Sequence, residues 1–301
     1  MKHFLKLLDV SPKEIEEILN LADQLKYENK HNIPHPHLKG KSVGLIFQKS
    51  STRTRVSFQV GIHQLGGQAV VLNPGETQLD RGESIADTAR TLSRYFDGVM
   101  IRTFGQNIVE EFAQEGSIPV INGLTDFAHP CQVMADLMTI REQKGTLEGL
   151  KLCYIGDGNN MANSLIVGGL KTGMSVYVAC PENYRPDASV LEFAASYKSF
   201  VMTEDPLAAA ADADVLVTDV WASMGQEGEA EIRKKAFAGF QINRETLSVA
   251  HGDAIVLHCL PAHKGEEITE EVFEAQAKVI FEEAENRLHA QKAIMSLLMR
   301  D

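Results

Sequence analysis

The chain has 301 residues, of which 44% are hydrophobic and 23% charged, and its formal charge is −12. That length accommodates two domains, each able to bury its own core, and the acidic balance excludes nucleic acid or an anionic membrane as the main partner. Cys131, Cys153, Cys180 and Cys259 form no C-x-x-C pair, Met1–Val10 has no secretory pattern and no apolar run reaches membrane-spanning length, so a reduced, cytoplasmic protein is expected.

Ser11-Pro12-Lys13-Glu14 reads as a capping box with proline at the first helical position, which opens a helix to about Asn29. The segment His31–Lys39 carries two prolines and three histidines, and reads as a solvated loop rather than a metal site. An alternating series follows, with strands at Ser42–Phe47, Ala69–Leu72, Gly98–Arg102 and Ile118–Asn122. The helices between them fall at about Arg53–Leu65, Ser84–Tyr95 and Ile108–Glu115. A helix over Pro130–Lys144 ends at Gly145. A second series has strands at Leu152–Ile155, Ser175–Ala179, Phe200–Met202, Val215–Thr218 and Ile255–Leu257. The last helix, Ala284–Met299, has an apolar stripe that predicts packing back on the first domain. Alternation of this kind predicts an α/β protein of two doubly wound parallel-sheet domains with a cleft between them. The domains expected are 1–135 with the C-terminal helix 285–301, and 136–284.

Open α/β sheets bind ligands at the carboxyl ends of their strands, and three polar clusters fall at such ends. Ser50-Ser51-Thr52-Arg53-Thr54-Arg55 joins a strand to a helix, where unsatisfied N–H groups and the helix dipole favour an anion. Arginine adds a planar fork suited to phosphate, and the hydroxyls add short donors. His129-Pro130-Cys131-Gln132 places an extended histidine before a helix start, and His258-Cys259-Leu260-Pro261 follows the last strand. Gly156-Asp157-Gly158 tempts a dinucleotide reading, but Met161 stands where the third glycine is needed. Gly40-Lys41-Ser42 precedes a strand, and His35 stands where a Walker loop needs glycine.

Together with Asp87-Thr88-Ala89-Arg90, Met100-Ile101-Arg102-Thr103, Asp219-Val220-Trp221-Ala222-Ser223-Met224-Gly225 and Glu285-Asn286-Arg287, these runs resemble the transcarbamoylase family, in family order over nearly the whole chain. The Ser-Met-Gly and His-Cys-Leu-Pro runs resemble its ornithine branch. The resemblance implies an enzyme of arginine metabolism that carbamoylates the δ-amine of L-ornithine with carbamoyl phosphate, using no metal or other cofactor. It implies that Ser51, Thr52, Arg53 and Thr54 hold the phosphate with help from Arg102, and that Pro130 and Cys131 belong to the same binding set. His129, Gln132, Cys259, Leu260 and Arg287 would surround the carbamoyl group, and Thr54 and Arg102 would polarise its oxygen. Asn160, Asp219, Ser223 and Met224 match the positions that hold ornithine. Gln78 would be lent to a neighbouring subunit, which makes a homotrimer the minimal active unit. The catalytic set so implied is Arg53, Thr54, Arg102, His129 and Cys259. Three alternatives stand beside it: a transcarbamoylase for putrescine, aspartate or an acylated ornithine; a silent relative that binds metabolites; and a nucleotide-binding α/β protein.

Overall fold

Ser11 starts the first helix by accepting a hydrogen bond from the Glu14 amide (3.2 Å), while the Glu14 carboxylate accepts from the Ser11 amide (2.8 Å). Those bonds, with the N-terminal ammonium 2.9 Å away, hold the Glu14 carboxyl down to about 2. The computed structural model describes residues 1–76, 78, 82–222 and 227–300. They divide into two compact units, Met1–Met138 with Asn286–Asp301, and Thr139–Glu285.

The first unit runs α1 (Pro12–Lys30), β1 (Ser42–Phe47), α2 (Thr52–Gln64), β2 (Gln68–Leu72), α3 (Ile85–Leu92), β3 (Gly98–Arg102), α4 (Gln106–Glu115) and β4 (Val120–Leu124). α5 (Pro130–Lys144) begins in it and ends in the second. The four strands are parallel in the order β2-β1-β3-β4, with Val43 opposite both Ala69 and Gly98. β1 and β3 are buried because helices cover both faces, so they read as unbroken apolar runs. β4 starts two residues later than Ile118, since Pro119 has no amide to donate. A register shift between Ile101 and Arg102 then carries the pairing on to Leu124. The outer side of β4 is closed by Phe4, which exchanges two backbone hydrogen bonds of 2.8 Å with Val120 and Asn122.

The second unit contains β5 (Lys151–Ile155), α6 (Asn160–Lys171), β6 (Ser175–Ala179), α7 (Ala188–Ala194), β7 (Phe200–Thr203), α8 (Pro206–Ala210) and β8 (Val215–Thr218). α9 (Ala230–Ala236), α10 (Arg244–Ser248), β9 (Ile255–His258) and α11 (Glu270–Leu298) follow. Its parallel sheet has the order β7-β6-β5-β8-β9. α11 starts at Glu270, well before the expected Ala284, because Val272, Phe273 and Ile280 pack into the second unit's core beside Val256 and Ile268. Its end from Asn286 belongs to the first unit, as the apolar stripe predicts.

The histidine-rich loop departs from expectation at one residue. His31 and His37 are exposed, but His35 is buried; its Nδ1 lies 2.8 Å from the Ile33 carbonyl, and its Nε2 accepts from Lys292 Nζ (3.1 Å). Burial draws the Lys292 ammonium down to about 8, and Gln64 Oε1 gives it a second acceptor at 2.9 Å. No helix among the described residues is long and apolar enough to cross a membrane.

Replacing Ser11 with Ala removes the acceptor of the capping box. It should lower the unfolding free energy by about 1 kcal/mol, measured as a shifted urea midpoint at unchanged slope.

Candidate active site

In the first sheet the chain moves from β1 outward to β2, then back across to β3, so the switch point lies at the carboxyl ends of β1 and β3. β1 delivers the turn 48–51 and β3 delivers Arg102. Ser51 is the N-cap of α2 and accepts from the Thr54 amide at 3.2 Å. That bond sets the first turn, whose Thr52 and Arg53 amides an α-helix leaves without intrahelical carbonyls. Thr54 is fully buried, and its hydroxyl oxygen accepts from two guanidinium groups, Arg287 Nη2 at 2.8 Å and Arg102 Nη1 at 3.3 Å. Strand β3, helix α11 and the N-terminus of α2 therefore meet at one oxygen.

His129 lies within the field of the same charges. Burial, then Arg287, Arg102 and Arg53, hold its basicity well below the usual imidazole range, so the ring is neutral at physiological pH. Pro130 fills the first position of α5, where a missing amide costs nothing, and the Gln132 and Val133 amides donate to the His129 carbonyl at 3.2 and 3.3 Å. The Cys131 side chain is buried and donates to the Asn122 carbonyl (3.4 Å), and burial pushes its thiol up to about 12. Gln132 Nε2 donates to Asp136 Oδ1 at 2.8 Å. Arg55 turns away from this cluster and donates to Asn73 on the surface (3.0 Å), so of the two arginines in the turn only Arg53 belongs to it.

The second sheet switches direction between β5 and β8. After β5, Gly156 has φ +144°, and Gly158 donates to the Tyr184 carbonyl at 2.8 Å. The two glycines thus serve a tight turn and a close approach of two backbones. Asn159, the N-cap of α6, accepts from the Met161 and Ala162 amides and donates through Nδ2 to Asp219 Oδ2 at 2.8 Å. Asp219, at the end of β8, also accepts on Oδ1 from the Val220 amide (2.8 Å) and from the Cys259 thiol (3.1 Å). Both carboxylate oxygens are therefore held in place before any ligand arrives. Asn160 is the first residue of α6 and half-buried.

The His258–Pro261 run is fixed by its own side chains. The His258 ring accepts from the Leu260 amide at Nδ1 (2.9 Å) and meets Glu267 Oε1 at Nε2 (2.9 Å). This holds Leu260 at φ +60°, a conformation that non-glycine residues rarely adopt.

The structure thus brings together Ser51, Thr52, Arg53, Thr54, Arg102, His129, Pro130, Cys131, Gln132 and Arg287 in the first unit, with Cys131 offering only its backbone. In the second unit it brings together Asn160, Asp219, Cys259 and Leu260. Gln78 is exposed between β2 and α3, and its carbonyl accepts from the Glu83 amide at 3.0 Å. Ser223 and Met224 lie outside the described residues. Sequence reasoning missed Asn159, although asparagine before an apolar helical run is a cap signal.

Two family models match the chain: aspartate/ornithine carbamoyltransferase, carbamoyl-P binding domain, over residues 2–142, and aspartate/ornithine carbamoyltransferase, Asp/Orn binding domain, over residues 148–298. The chain is 54% identical to the ornithine carbamoyltransferase of Thermococcus kodakarensis, covering 97% of this chain and 95% of that protein. It is also 54% identical to that of Carboxydothermus hydrogenoformans, covering 99% and 97%. The solved ornithine carbamoyltransferase of Pyrococcus furiosus superposes with a TM-score of 0.94 at 51% identity, covering 99% of this chain and 97% of that one.

A Cβ placed on Gly158 would lie 2.3 Å from the Arg185 carbonyl carbon and the Pro186 nitrogen. Backbone cannot rotate aside, so Gly158→Ala should destabilise by about 3 kcal/mol. Gly252→Ala, where nothing lies within 4 Å, should be close to neutral in the same denaturant titration.

Proposed function

The chain belongs to the aspartate/ornithine carbamoyltransferase family, and from that premise we propose that it transfers the carbamoyl group of carbamoyl phosphate to the δ-amine of L-ornithine, giving L-citrulline and phosphate. The observation that carries the reading is the pair of guanidinium groups donating to Thr54 at the N-terminus of α2. It concentrates positive charge in a chain whose net charge is −12, which is what a doubly charged leaving group requires.

In this reading residues 1–135 with 285–301 bind carbamoyl phosphate, and 136–284 bind ornithine. Ser51, Thr52, Arg53 and Thr54 hold the phosphate through the first turn of α2 and its side chains. The carbonyl oxygen gains negative charge as the tetrahedral intermediate forms, and Thr54, Arg102 and the neutral imidazole of His129 donate to it. Gln132, Arg287, Leu260 and the backbone of Pro130-Cys131 complete the carbamoyl contacts. Arg53 takes up the charge that grows on departing phosphate.

The acceptor must attack as a neutral amine, although an alkylamine titrates near 10.4, so deprotonation at neutral pH costs about 4–5 kcal/mol. Exclusion of water lowers that cost by disfavouring the ammonium. Asp219 anchors the α-amino group with Asn160, Ser223 and Met224, and the Cys259 thiol lies beside the amine. Departing phosphate removes the second proton from the attacking nitrogen. We assign the active state to a cytoplasmic homotrimer in which Gln78 reaches a neighbouring subunit's site, serving arginine biosynthesis.

Steady-state citrulline formation tests the reading. Ornithine should be carbamoylated, while putrescine, aspartate and an acylated ornithine should not; turnover of another amine in preference to ornithine would overturn it. Arg53→Gly should lower kcat/KM by about 10³-fold with thermal unfolding little changed. Asp219→Ala should raise the ornithine KM by roughly 10- to 100-fold, the scale of a hydrogen bond to a charged group, and leave the carbamoyl phosphate KM within about twofold.

A further inference from the structure

The glycine-rich turn after β5 carries a buried acid that the reaction does not use. Asp157 is 5% exposed, and its Oδ2 accepts from Arg233 Nη1 at 2.9 Å. Arg233, on α9, is itself 6% exposed, and the same nitrogen donates to the Trp221 carbonyl at 2.8 Å. Its guanidinium lies over the Tyr184 ring (4.9 Å) and near the Phe237 ring (6.0 Å), which stacks on Trp221 in turn. One nitrogen thus ties the β5–α6 turn to the residue two places beyond Asp219. Both tied segments carry the ornithine assignments, Asn160 on one side and Asp219 on the other, and Ser223 follows Trp221 by two residues.

We infer that Arg233 is a positioning residue for the amino acid acceptor, fixing the spacing between the turn that bears Asn159 and Asn160 and the strand end that bears Asp219. The inference rests on the reading of this half-site as the ornithine site. A buried hydrogen-bonded ion pair holds geometry more than it adds stability, because desolvation offsets most of its attraction. Removing the arginine leaves the Asp157 carboxylate buried and the Trp221 carbonyl without this donor, and the two segments lose one of their ties while the Asn159–Asp219 hydrogen bond remains.

The charge state of the pair supplies an independent readout. Burial lifts the Asp157 carboxyl to about 6, against the pull of Arg233, and Asp219 and Glu229 push in the same direction as burial. Tyr154 and Cys180 also face it, and burial raises both, so they stay neutral. The ion pair is therefore complete above about pH 6 and is lost as the pH falls through that value. L-Norvaline has the α-amino and α-carboxylate groups of ornithine without its δ-amine, so its inhibition constant reports the anchoring end alone in that pH range.

The experiment uses the full chain with Arg233→Met, Arg233→Lys and Asp157→Asn. In Arg233→Met the ornithine KM and the norvaline inhibition constant should rise together by roughly tenfold or more, with the carbamoyl phosphate KM within about twofold. Arg233→Lys should recover a substantial part of that loss. In the parent enzyme norvaline inhibition should weaken as pH falls through about 6, and in Asp157→Asn that inflection should be absent. Unchanged norvaline inhibition in Arg233→Met would overturn the inference, as would equal losses in every kinetic constant tracking a lowered melting temperature. If Arg233→Met does not fold, Asp157→Asn decides, since a retained inflection there overturns it equally. A parent enzyme that makes no citrulline and ignores norvaline would instead defeat the ornithine reading itself.

Discussion

Two arginines donating to the buried hydroxyl of Thr54 are the interaction on which the first half-site depends. Arg102 comes from the end of β3 and Arg287 from α11, some 185 positions later in the chain. They can share one oxygen because the last residues, from Asn286, belong to the first unit. The hydroxyl orients both guanidinium planes while adding no charge of its own. The cost falls on His129, whose basicity burial and three cations hold well below the usual imidazole range. In the proposed reaction that cost would be useful, since a neutral imidazole would donate to the developing oxyanion without holding the product's phosphate as a fourth cation.

The second half-site is organised by the opposite charge. Asp219 is clamped on both oxygens by Asn159, the Val220 amide and Cys259, so its orientation is set by one helix cap, the amide that follows it and a thiol from the end of β9. Pre-orientation of this kind removes ordering entropy from the binding step. Both half-sites therefore use the same device, a side chain locked by a helix N-terminus at a switch point, with the sign of the charge reversed.

Much of this was legible in the chain. Val43–Phe47 and Val99–Ile101 are apolar runs with helical patterns beside them, and parallel strands covered on both faces leave that trace. Ser51 and Pro130 announce helix starts by local chemistry, so the residues at those starts could be named in advance. What escaped depends on partners distant in sequence. His35 looks like a loop histidine until Lys292, 257 positions away, is found against it. The first half of α11 lacks a clear apolar stripe because Val272, Phe273 and Ile280 meet a sheet, whereas the second half packs elsewhere. Asp157 sat in a failed nucleotide fingerprint, and its meaning appears only with Arg233, 76 positions on.

That last pair also bears on selectivity. Ornithine arrives with two ammonium groups and must end with one anchored and the other uncharged. A second uncompensated carboxylate near Asp219 would compete for either ammonium and would favour the charged form of the reacting one. Asp219 is close enough to Asp157 to raise the cost of ionising it. Arg233 cancels the Asp157 charge at 2.9 Å, so the local field that a bound amine meets is dominated by Asp219. A monoamine then has only its reacting nitrogen to pair with Asp219, and pairing there stabilises the protonated, unreactive form. On this argument the buried ion pair favours an acceptor that brings a separate cation for Asp219, and the discrimination lies in which nitrogen keeps its proton rather than in how tightly the chain binds.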